Sequence, residues 1–218
     1  MTSRSSDSTR CRMRDTALRA NSVRKTRKRV DVKAIVAVPV LLVVLVLDLI
    51  TKAVAVATLA PAGGANPVFG NWFRFALVYN PGAAFGLHLG TYSRWIFMAL
   101  TCGAIVILWR LYQQTAQNDR RKALAVSLVA AGALGNVIDR IRSDLGVVDF
   151  IDIGFGAHRW PTFNVADMAV SSGAFLLALV LWGEEKRETA AAAAAEAAAQ
   201  NAARSTTLAS TESADRSR

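Results

Sequence analysis

The sequence predicts a membrane protein of the all-α class, with four transmembrane helices and a small β-containing region in its outer loops. Hydrophobic residues make up 53% of the 218 residues, and the mean hydropathy is +0.29 although both ends of the chain are polar. The apolar residues fall into four long blocks. Because a bilayer core requires about 20 mostly apolar residues in a helix, we predict transmembrane helices over residues 35–57, 92–112, 122–141 and 165–183.

The third predicted helix differs from the other three in its small residues. It is the least apolar of the four, because Gly132, Gly135 and Asn136 interrupt it. Small residues let helix backbones approach closely inside a membrane. We therefore predict that this helix packs against other helices.

Positive charge is concentrated on one side of the predicted membrane topology. The net charge is +10, and most of the cations precede the first helix, with others at 120–122 and 186–187. Loops rich in Lys and Arg stay in the cytoplasm, so both termini should be cytoplasmic and two loops should face outward. A nucleic-acid-binding role for the basic tail is a weaker alternative, and we expect no nucleic-acid partner.

The composition divides the chain into three parts. Residues 1–32 are rich in Ser and Arg and are expected to be disordered. Residues 33–183 should form the four-helix membrane domain. Residues 184–218 are rich in Ala, and we expect a low-complexity cytoplasmic tail with no direct role. The first apolar block is too long for the core of a signal peptide and lacks a cleavage site, so we expect no cleaved leader.

The first outer loop contains the segment "NWFRFALVY", whose aromatic and β-preferring residues predict short strands. Its aromatic side chains suit the membrane–water interface. We therefore expect these strands to lie at the membrane surface.

Several polar residues interrupt the apolar helices. Asp48 and Lys52 lie four residues apart and can pair on one helical face, Asn136 and Asp139 fall in the third helix, and Asp167 opens the fourth. At about 1.5 Å of rise per residue, Asp48 lies roughly 20 Å above the inner end of its helix. All these groups converge on the outer third of the membrane. Simple fastening of helices would not require a common depth, whereas a functional site would.

The types of polar residue restrict the chemistry. The sequence has no Ser–His pair at this depth, no H-E-x-x-H motif and no cysteine nucleophile, because Cys11 and Cys102 lie elsewhere. His88 and His158 are far apart in the outer loops and are interpreted as surface residues. We therefore expect no metal and no cofactor. Two carboxylates held close together share a proton and support aspartic-protease chemistry, but these considerations do not select which two.

Two other functions use the same residues. A small carrier could pass protons along Asp48, Asp139 and Asp167, although we find no polar group in the inner half of the helices to continue such a relay. A membrane assembly factor could use the polar residues only to hold helices together.

Four motifs resemble those of the lipoprotein signal peptidases, the signal peptidase II family. They are "DLITK" (48–52), "YNPGAAFG" (79–86), "GALGNVIDR" followed by "VVDF" (132–150) and "FNVAD" (163–167). They occur in the family's order, and the resemblance covers residues 35–182. It implies an aspartic endopeptidase of the bacterial inner membrane. Such an enzyme removes the signal peptide from diacylglyceryl-modified prolipoproteins, just before the lipidated cysteine and at the outer leaflet.

The resemblance also implies roles for individual residues. Asp149 and Asp167 correspond to the catalytic pair, and Asp152 is expected to be a bystander near the membrane surface. The positions implied to shape the site or to orient the substrate are Asp48, Lys52, Asn80, Gly82, Gly132, Asn136, Asp139, Arg140, Asn164 and Ala166.

One position departs from the family's pattern, because Leu49 stands where the first motif usually has a glutamine. The departure leaves the predicted catalytic pair intact and removes only that polar contact. The resemblance further implies lipid-modified prolipoproteins and membrane lipids as partners, a monomeric enzyme, and inhibition by globomycin-type compounds.

Overall fold

A computed structural model describes residues 31–82 and 90–215 of the chain. Most of the N-terminal tail that we expected to be disordered lies outside these ranges. His88, which we expected at the surface, lies outside them as well. A single 3₁₀ turn at Gly90–Tyr92 precedes the second helix. The other elements are α1 (Val32–Ala62), β1 (Ala65–Phe69), β2 (Phe73–Asn80), α2 (Ser93–Gln114), α3 (Arg120–Arg142), β3 (Val147–Phe155), β4 (His158–Arg159) and α4 (Val165–Asp215).

The four predicted helices are confirmed. Each of α1 to α4 is long and apolar enough to cross a membrane, and all four begin within three residues of the predicted start. The fourth helix does not end near residue 183 but continues through the Ala-rich segment to Asp215. Alanine has the highest helix propensity of all residues, so this extension forms with little packing, and its residues 185–201 are exposed.

Helix α3 lies at the centre of the bundle, as its small residues predicted. In its most apolar window 56% of the residues are buried, against 6–17% in the other three helices. A Cβ atom at Gly132 would collide with the backbone of Ala166 on α4. One at Gly173 would approach the backbone of Val129 on α3. The two helices therefore run antiparallel in direct backbone contact, which larger residues would prevent.

The segments between the helices form one antiparallel sheet in the order β1-β2-β3-β4. The strands expected between the first two helices are β1 and β2. The long strand β3 pairs with β2, with Asp149 opposite Val78 and Val147 opposite Asn80. Strand β3 was not predicted, although its segment "VVDFIDIGF" is rich in β-branched and aromatic residues.

Strand β3 is anchored by one apolar and one ionic contact. Phe150 is buried against Ala55 and Leu59 of α1. Asp152, two residues further along, forms ion pairs with Arg74 of β2 and Arg159 of β4, each at 2.5 Å. These contacts fix the strand that carries Asp149.

Asp152 is therefore more than the bystander that we expected. Its side chain is buried, and burial alone would raise its pKa, but the hydrogen bonds and charges of Arg159 and Arg74 outweigh this and lower the pKa. The carboxylate joins three strands of the sheet and lies outside the polar network described next.

Candidate functional site

A continuous network of buried polar side chains lies where the C-terminal half of α3, the start of α4, the middle of α1 and strands β2 and β3 meet. Buried polar groups in a membrane protein are costly unless they are paired. All the members described below make hydrogen bonds or ion pairs to one another.

Lys52 of α1 is the central cation of the network. Its ammonium group lies 2.8 Å from Asp48 Oδ2 and 2.8 Å from Asp139 Oδ2. It also donates a hydrogen bond of 3.0 Å to Asn136 Oδ1. The side chain is almost fully buried, and its single positive charge lies between two carboxylates and fastens α1 to α3.

Asp48 extends the network to the start of α4. Its Oδ1 accepts a hydrogen bond of 2.9 Å from the backbone N–H of Ala166. A carboxylate is favourable there because the first backbone N–H groups of a helix are unpaired and carry partial positive charge. Gly135 of α3 leaves room for this contact, because a Cβ atom at Gly135 would collide with the Asp48 carboxylate.

Asn164 and Asp167 cap the N-terminus of α4 reciprocally. Asn164 Oδ1 accepts from the backbone N–H of Asp167 at 2.9 Å. The backbone N–H of Asn164 donates to Asp167 Oδ2 at 3.2 Å. This arrangement is a capping box with Asn and Asp in the two capping positions. The other oxygen of Asp167 accepts from Asn136 Nδ2 at 2.8 Å, so the carboxylate is held from two helices.

The amide group of Asn164 links the cap to Asp149. Its Nδ2 donates to Asp149 Oδ1 at 2.7 Å and to the backbone carbonyl of Val148 at 3.2 Å. It also lies 3.3 Å from Asn136 Oδ1. Asn164 is fully buried, and it contacts both Asp149 and Asp167.

Asp149 receives a second amide donor from the end of β2. Asn80 Nδ2 donates to Asp149 Oδ2 at 3.1 Å, and Asn80 Oδ1 accepts from the backbone N–H of Gly82 at 3.0 Å. Burial and the nearby negative charge of Asp167 raise the pKa of Asp149 to about 7, against the smaller lowering effects of Asn80, Asn164 and Lys52. Near neutral pH this carboxyl therefore binds a proton much more readily than a free aspartate does.

Arg140 brings positive charge to the same region. Its Nη1 donates to the backbone carbonyl of Asn136 at 3.2 Å, and it is attracted by the carboxylates of Asp167, Asp149 and Asp139. Its Nε is buried without a hydrogen-bond partner. The backbone carbonyl of Arg140 accepts from Arg94 of α2 at 2.7 Å, which ties α2 to this end of α3.

Glycine is required at Gly82 by the backbone conformation. Its φ of 116° lies in a region that other residues rarely adopt, and a Cβ atom would collide with Phe97 and approach the backbone of Ser93. Gly82 therefore lets the chain turn close to the start of α2 immediately after Asn80.

Residues 40–183 match the family described as signal peptidase (SPase) II. The chain belongs to the signal peptidase II family. This membership agrees with the resemblance of the four motifs, and together with the four helices it establishes a multi-pass membrane protein of a peptidase family.

Lipoprotein signal peptidases of other bacteria share this similarity over most of their length. The chain is 42% identical over 151 residues to the lipoprotein signal peptidase of Polynucleobacter necessarius, which covers 67% of this chain and 86% of the relative. It is 40% identical over 166 residues to the lipoprotein signal peptidase of Cupriavidus necator, covering 74% of this chain and 91% of the relative.

Solved structures show the same fold. A bacterial membrane enzyme determined by the in meso method at 2.3 Å resolution superposes with a TM-score of 0.60 at 29% identity. The match covers 69% of this chain and 90% of that one. A second such structure, at 1.9 Å resolution, gives a TM-score of 0.58 at 31% identity, covering 66% and 91% of the two chains.

The structure brings the predicted site residues of this signal peptidase II family member into one region. The polar residues of this set form the network. The small residues, glycine and alanine, allow the helix backbones and the turn after β2 to approach one another around it. The sequence marked Gly135 only as a small residue for helix packing and not as the residue that accommodates Asp48, and Arg94, which holds α2 to α3, was not identified. Gly135 falls within a quoted motif and lies one residue before Asn136, a signal that could have revealed it, whereas nothing local marks Arg94.

The remaining chemical groups lie apart from this network. His158 is exposed, as predicted, and Cys102 is exposed on α2. Within residues 31–82 and 90–215, no three His, Cys, Asp or Glu side chains are grouped so as to hold a metal ion.

Proposed function

We propose that this protein is an aspartic endopeptidase that removes signal peptides from diacylglyceryl-modified prolipoproteins, cutting just before the lipidated cysteine. Membership of the signal peptidase II family supports the substrate class. The observation that carries the mechanism is the contact of one buried amide residue, Asn164, with the two carboxylates of Asp149 and Asp167.

The two carboxylates take different roles in this proposal. Asp149, whose pKa is raised to about 7, holds the shared proton and donates it to the oxygen of the scissile carbonyl. Asp167 removes a proton from the attacking water. When the tetrahedral intermediate breaks down, Asp167 gives its proton to the leaving nitrogen and Asp149 recovers its own. The cycle consumes one water molecule and needs no other reactant.

The rest of the network positions this pair. Asn136 and Asn164 orient the carboxylates by hydrogen bonds, and Arg140 supplies nearby positive charge. Lys52, Asp48 and Asp139 hold the helices that carry them. Gly82, Gly132 and Ala166 permit the close backbone approaches around the site.

We propose an orientation with both termini in the cytoplasm and the aspartates at the outer face of the inner membrane. Residues Arg120–Lys122, at the start of α3, lie at the opposite end of that helix from Asn136 and Asp139. The positive-inside rule assigns this basic end to the cytoplasm. The outward-facing sheet exposes Phe69, Trp72, Phe155 and Trp160, which suit a platform at the membrane surface for a lipid-anchored substrate.

An apolar cleft suits the apolar helix of the signal peptide. It has a volume of about 510 Å³ and lies between α1, α2 and α3, from Tyr112 at the basic end to Leu134, two residues before Asn136. A signal peptide in this cleft would leave its cleavage site next to the aspartates. Residues 33–183 contain this cleft and the aspartates, and in our proposal the two tails take no part in the chemistry. The enzyme acts as a monomer and is inhibited by globomycin-type compounds.

The first experiment compares the purified protein with its Asp149→Asn and Asp167→Asn variants on a diacylglyceryl-modified prolipoprotein in detergent. We expect the native protein to cut just before the lipidated cysteine, read by mass, and both variants to lose cleavage by at least a thousandfold, in the range of effects seen for essential catalytic groups. Asp144→Asn is the matched control, because this exposed carboxyl lies outside the network. Substantial cleavage by either dyad variant contradicts the assignment.

The same purified protein distinguishes a peptidase from the two alternative functions, a proton-coupled carrier and a membrane assembly factor. A carrier would move solute only in sealed vesicles, and an assembly factor would neither transport nor cleave. Cleavage in detergent without a gradient excludes both as the primary function.

The role of the cleft is tested with Ala130→Phe, which fills it, against Ala104→Phe on the exposed face of α2. We expect Ala130→Phe to slow cleavage of a full prolipoprotein and to leave cleavage of a short lipopeptide without an apolar helix unchanged. Equal slowing of both substrates would show that the change damages the site instead.

A further inference from the structure

A second cavity lies at the end of the helical bundle opposite the aspartates. It has a volume of about 590 Å³, within the usual range for small-ligand sites. One wall is a stripe along α4, and the other is the turn between α2 and α3 together with the start of α3. The ion pair between Lys122 and Glu184, at 2.7 Å, joins these two walls.

The α4 stripe changes character along the helix. Leu176, Leu179 and Val180 line the part nearer the middle of the membrane, and Glu184 and Arg187 line the part beyond it. An apolar wall that ends in charged groups matches the arrangement of a phospholipid, whose acyl chains lie inside the membrane and whose headgroup lies at the interface.

The charged groups in and beside the cavity leave a net positive charge, which can attract an anionic ligand. Lys122 neutralises Glu184, so Asp119, which accepts a hydrogen bond from the Lys122 backbone N–H, is the one acid that opposes the two arginines of the cavity. Arg121 and Arg187 also line the cavity. Neither makes an ion pair with another group in the part of the chain that the structure describes.

We propose that this cavity binds an anionic phospholipid, with its phosphate contacting Arg121 and Arg187 and an acyl chain along Leu176, Leu179 and Val180. Arginine is suited to such contacts because its planar group donates two hydrogen bonds to phosphate oxygens. The site is separate from the proposed peptidase site and holds even if that proposal fails, because it depends on other residues.

The test uses the full-length protein in a neutral detergent with equal amounts of dioleoyl phosphatidylglycerol and dioleoyl phosphatidylcholine. Native mass spectrometry measures which lipid remains bound. We expect the native protein to retain phosphatidylglycerol preferentially. In the Arg121→Gln/Arg187→Gln variant the preference for phosphatidylglycerol should be roughly tenfold smaller, since each arginine near an anionic surface increases binding a few-fold.

The matched control is Arg110→Gln/Arg120→Gln, which removes the same charge from exposed positions near the same end of the bundle and outside the cavity lining. The control should keep the preference. An equal loss in both variants would overturn the proposal in favour of general surface attraction. Elution volume and melting temperature without added lipid show whether each variant is folded, and Arg121→Lys/Arg187→Lys should recover part of the preference.

A further arm distinguishes a lipid from free phosphate. Glycerol 3-phosphate, added at the lipid concentration, should not displace phosphatidylglycerol, because it lacks acyl chains for the apolar wall. Complete displacement would show a phosphate site and overturn the lipid assignment. No preference between the two lipids in the native protein would also overturn it.

Discussion

Asn164 holds Asp149 with one end of its side chain and caps the helix of Asp167 with the other. Its Nδ2 lies 2.7 Å from Asp149 Oδ1, and its Oδ1 lies 2.9 Å from the backbone nitrogen of Asp167. A residue placed at the start of a helix for local reasons therefore also sets the relationship between the two carboxylates. This double use explains how a strand outside the bundle and a transmembrane helix form one site.

The two uses of Asn164 can be separated by substitution. Asn164→Ser keeps an oxygen that caps α4 but removes the amide donor to Asp149, whereas Asn164→Ala removes both. We expect both variants to lose cleavage by at least tenfold, and only Asn164→Ala to lose about 1 kcal/mol in free energy of unfolding through the cap. Cleavage kinetics and thermal unfolding in detergent check this. Equal stability of the two variants would contradict the capping role.

The pKa of Asp149 predicts the alkaline limit of activity. Burial and the charge of Asp167 raise this pKa to about 7, and the mechanism requires the protonated form, so kcat/KM should fall as the pH rises through about 7. Asn80 donates to the ionised carboxylate and lowers the pKa. Asn80→Ser removes that amide donor, and the falling limb should move to higher pH. If the falling limb of the pH profile stays at the same pH or moves to lower pH, the assignment of the proton to Asp149 is contradicted.

The same pKa affects stability. The value for an unfolded aspartate is about 3.9, so between this value and about 7 the folded protein holds more protons than the unfolded chain. The contribution of Asp149 to stability therefore falls as the pH rises through that range. Melting temperatures of the native protein should fall more steeply over this range than those of Asp149→Asn, the control without the titrating group.

The four helices and the common depth of the polar residues could be predicted from the sequence because the membrane restricts what a chain can do, whereas the catalytic pair was implied only by the resemblance to the family. Apolar length determines the helices, and a buried charge such as Asp48 must find a partner such as Lys52. The pairing of Asp152 with Arg74 could not be predicted, because it depends on the register of two strands about 78 residues apart in the chain. The contact of Gly135 with Asp48 depends likewise on how α1 is rotated against α3.

The close contact between α3 and α4 predicts a strong effect of size at Gly132. A side chain there meets the Ala166 backbone and Val170, so Gly132→Leu should destabilise the protein by about 1–3 kcal/mol, the usual cost of overpacking. Gly103→Leu is the matched control, because nothing lies within 4 Å of a Cβ atom at Gly103. Thermal unfolding in detergent compares the two. If Gly132→Leu is as stable as the native protein, α3 and α4 can move apart without a loss in free energy of unfolding.

Lys52 tests whether the network is held by charge balance. Lys52→Met removes the only cation in contact with Asp48 and Asp139 among the described ion pairs, and leaves two buried carboxylates without a counter-charge. Breaking a buried pair in this way costs about 3–5 kcal/mol in free energy of unfolding, so we expect a large fall in melting temperature and in the yield of folded protein. Adding Asp48→Asn and Asp139→Asn removes the unbalanced charges and should restore much of the stability, although the orientation of Asn136 and therefore cleavage should remain impaired. If the triple variant is as unstable as Lys52→Met, the stability depends on the hydrogen bond from Lys52 to Asn136 and not on charge balance.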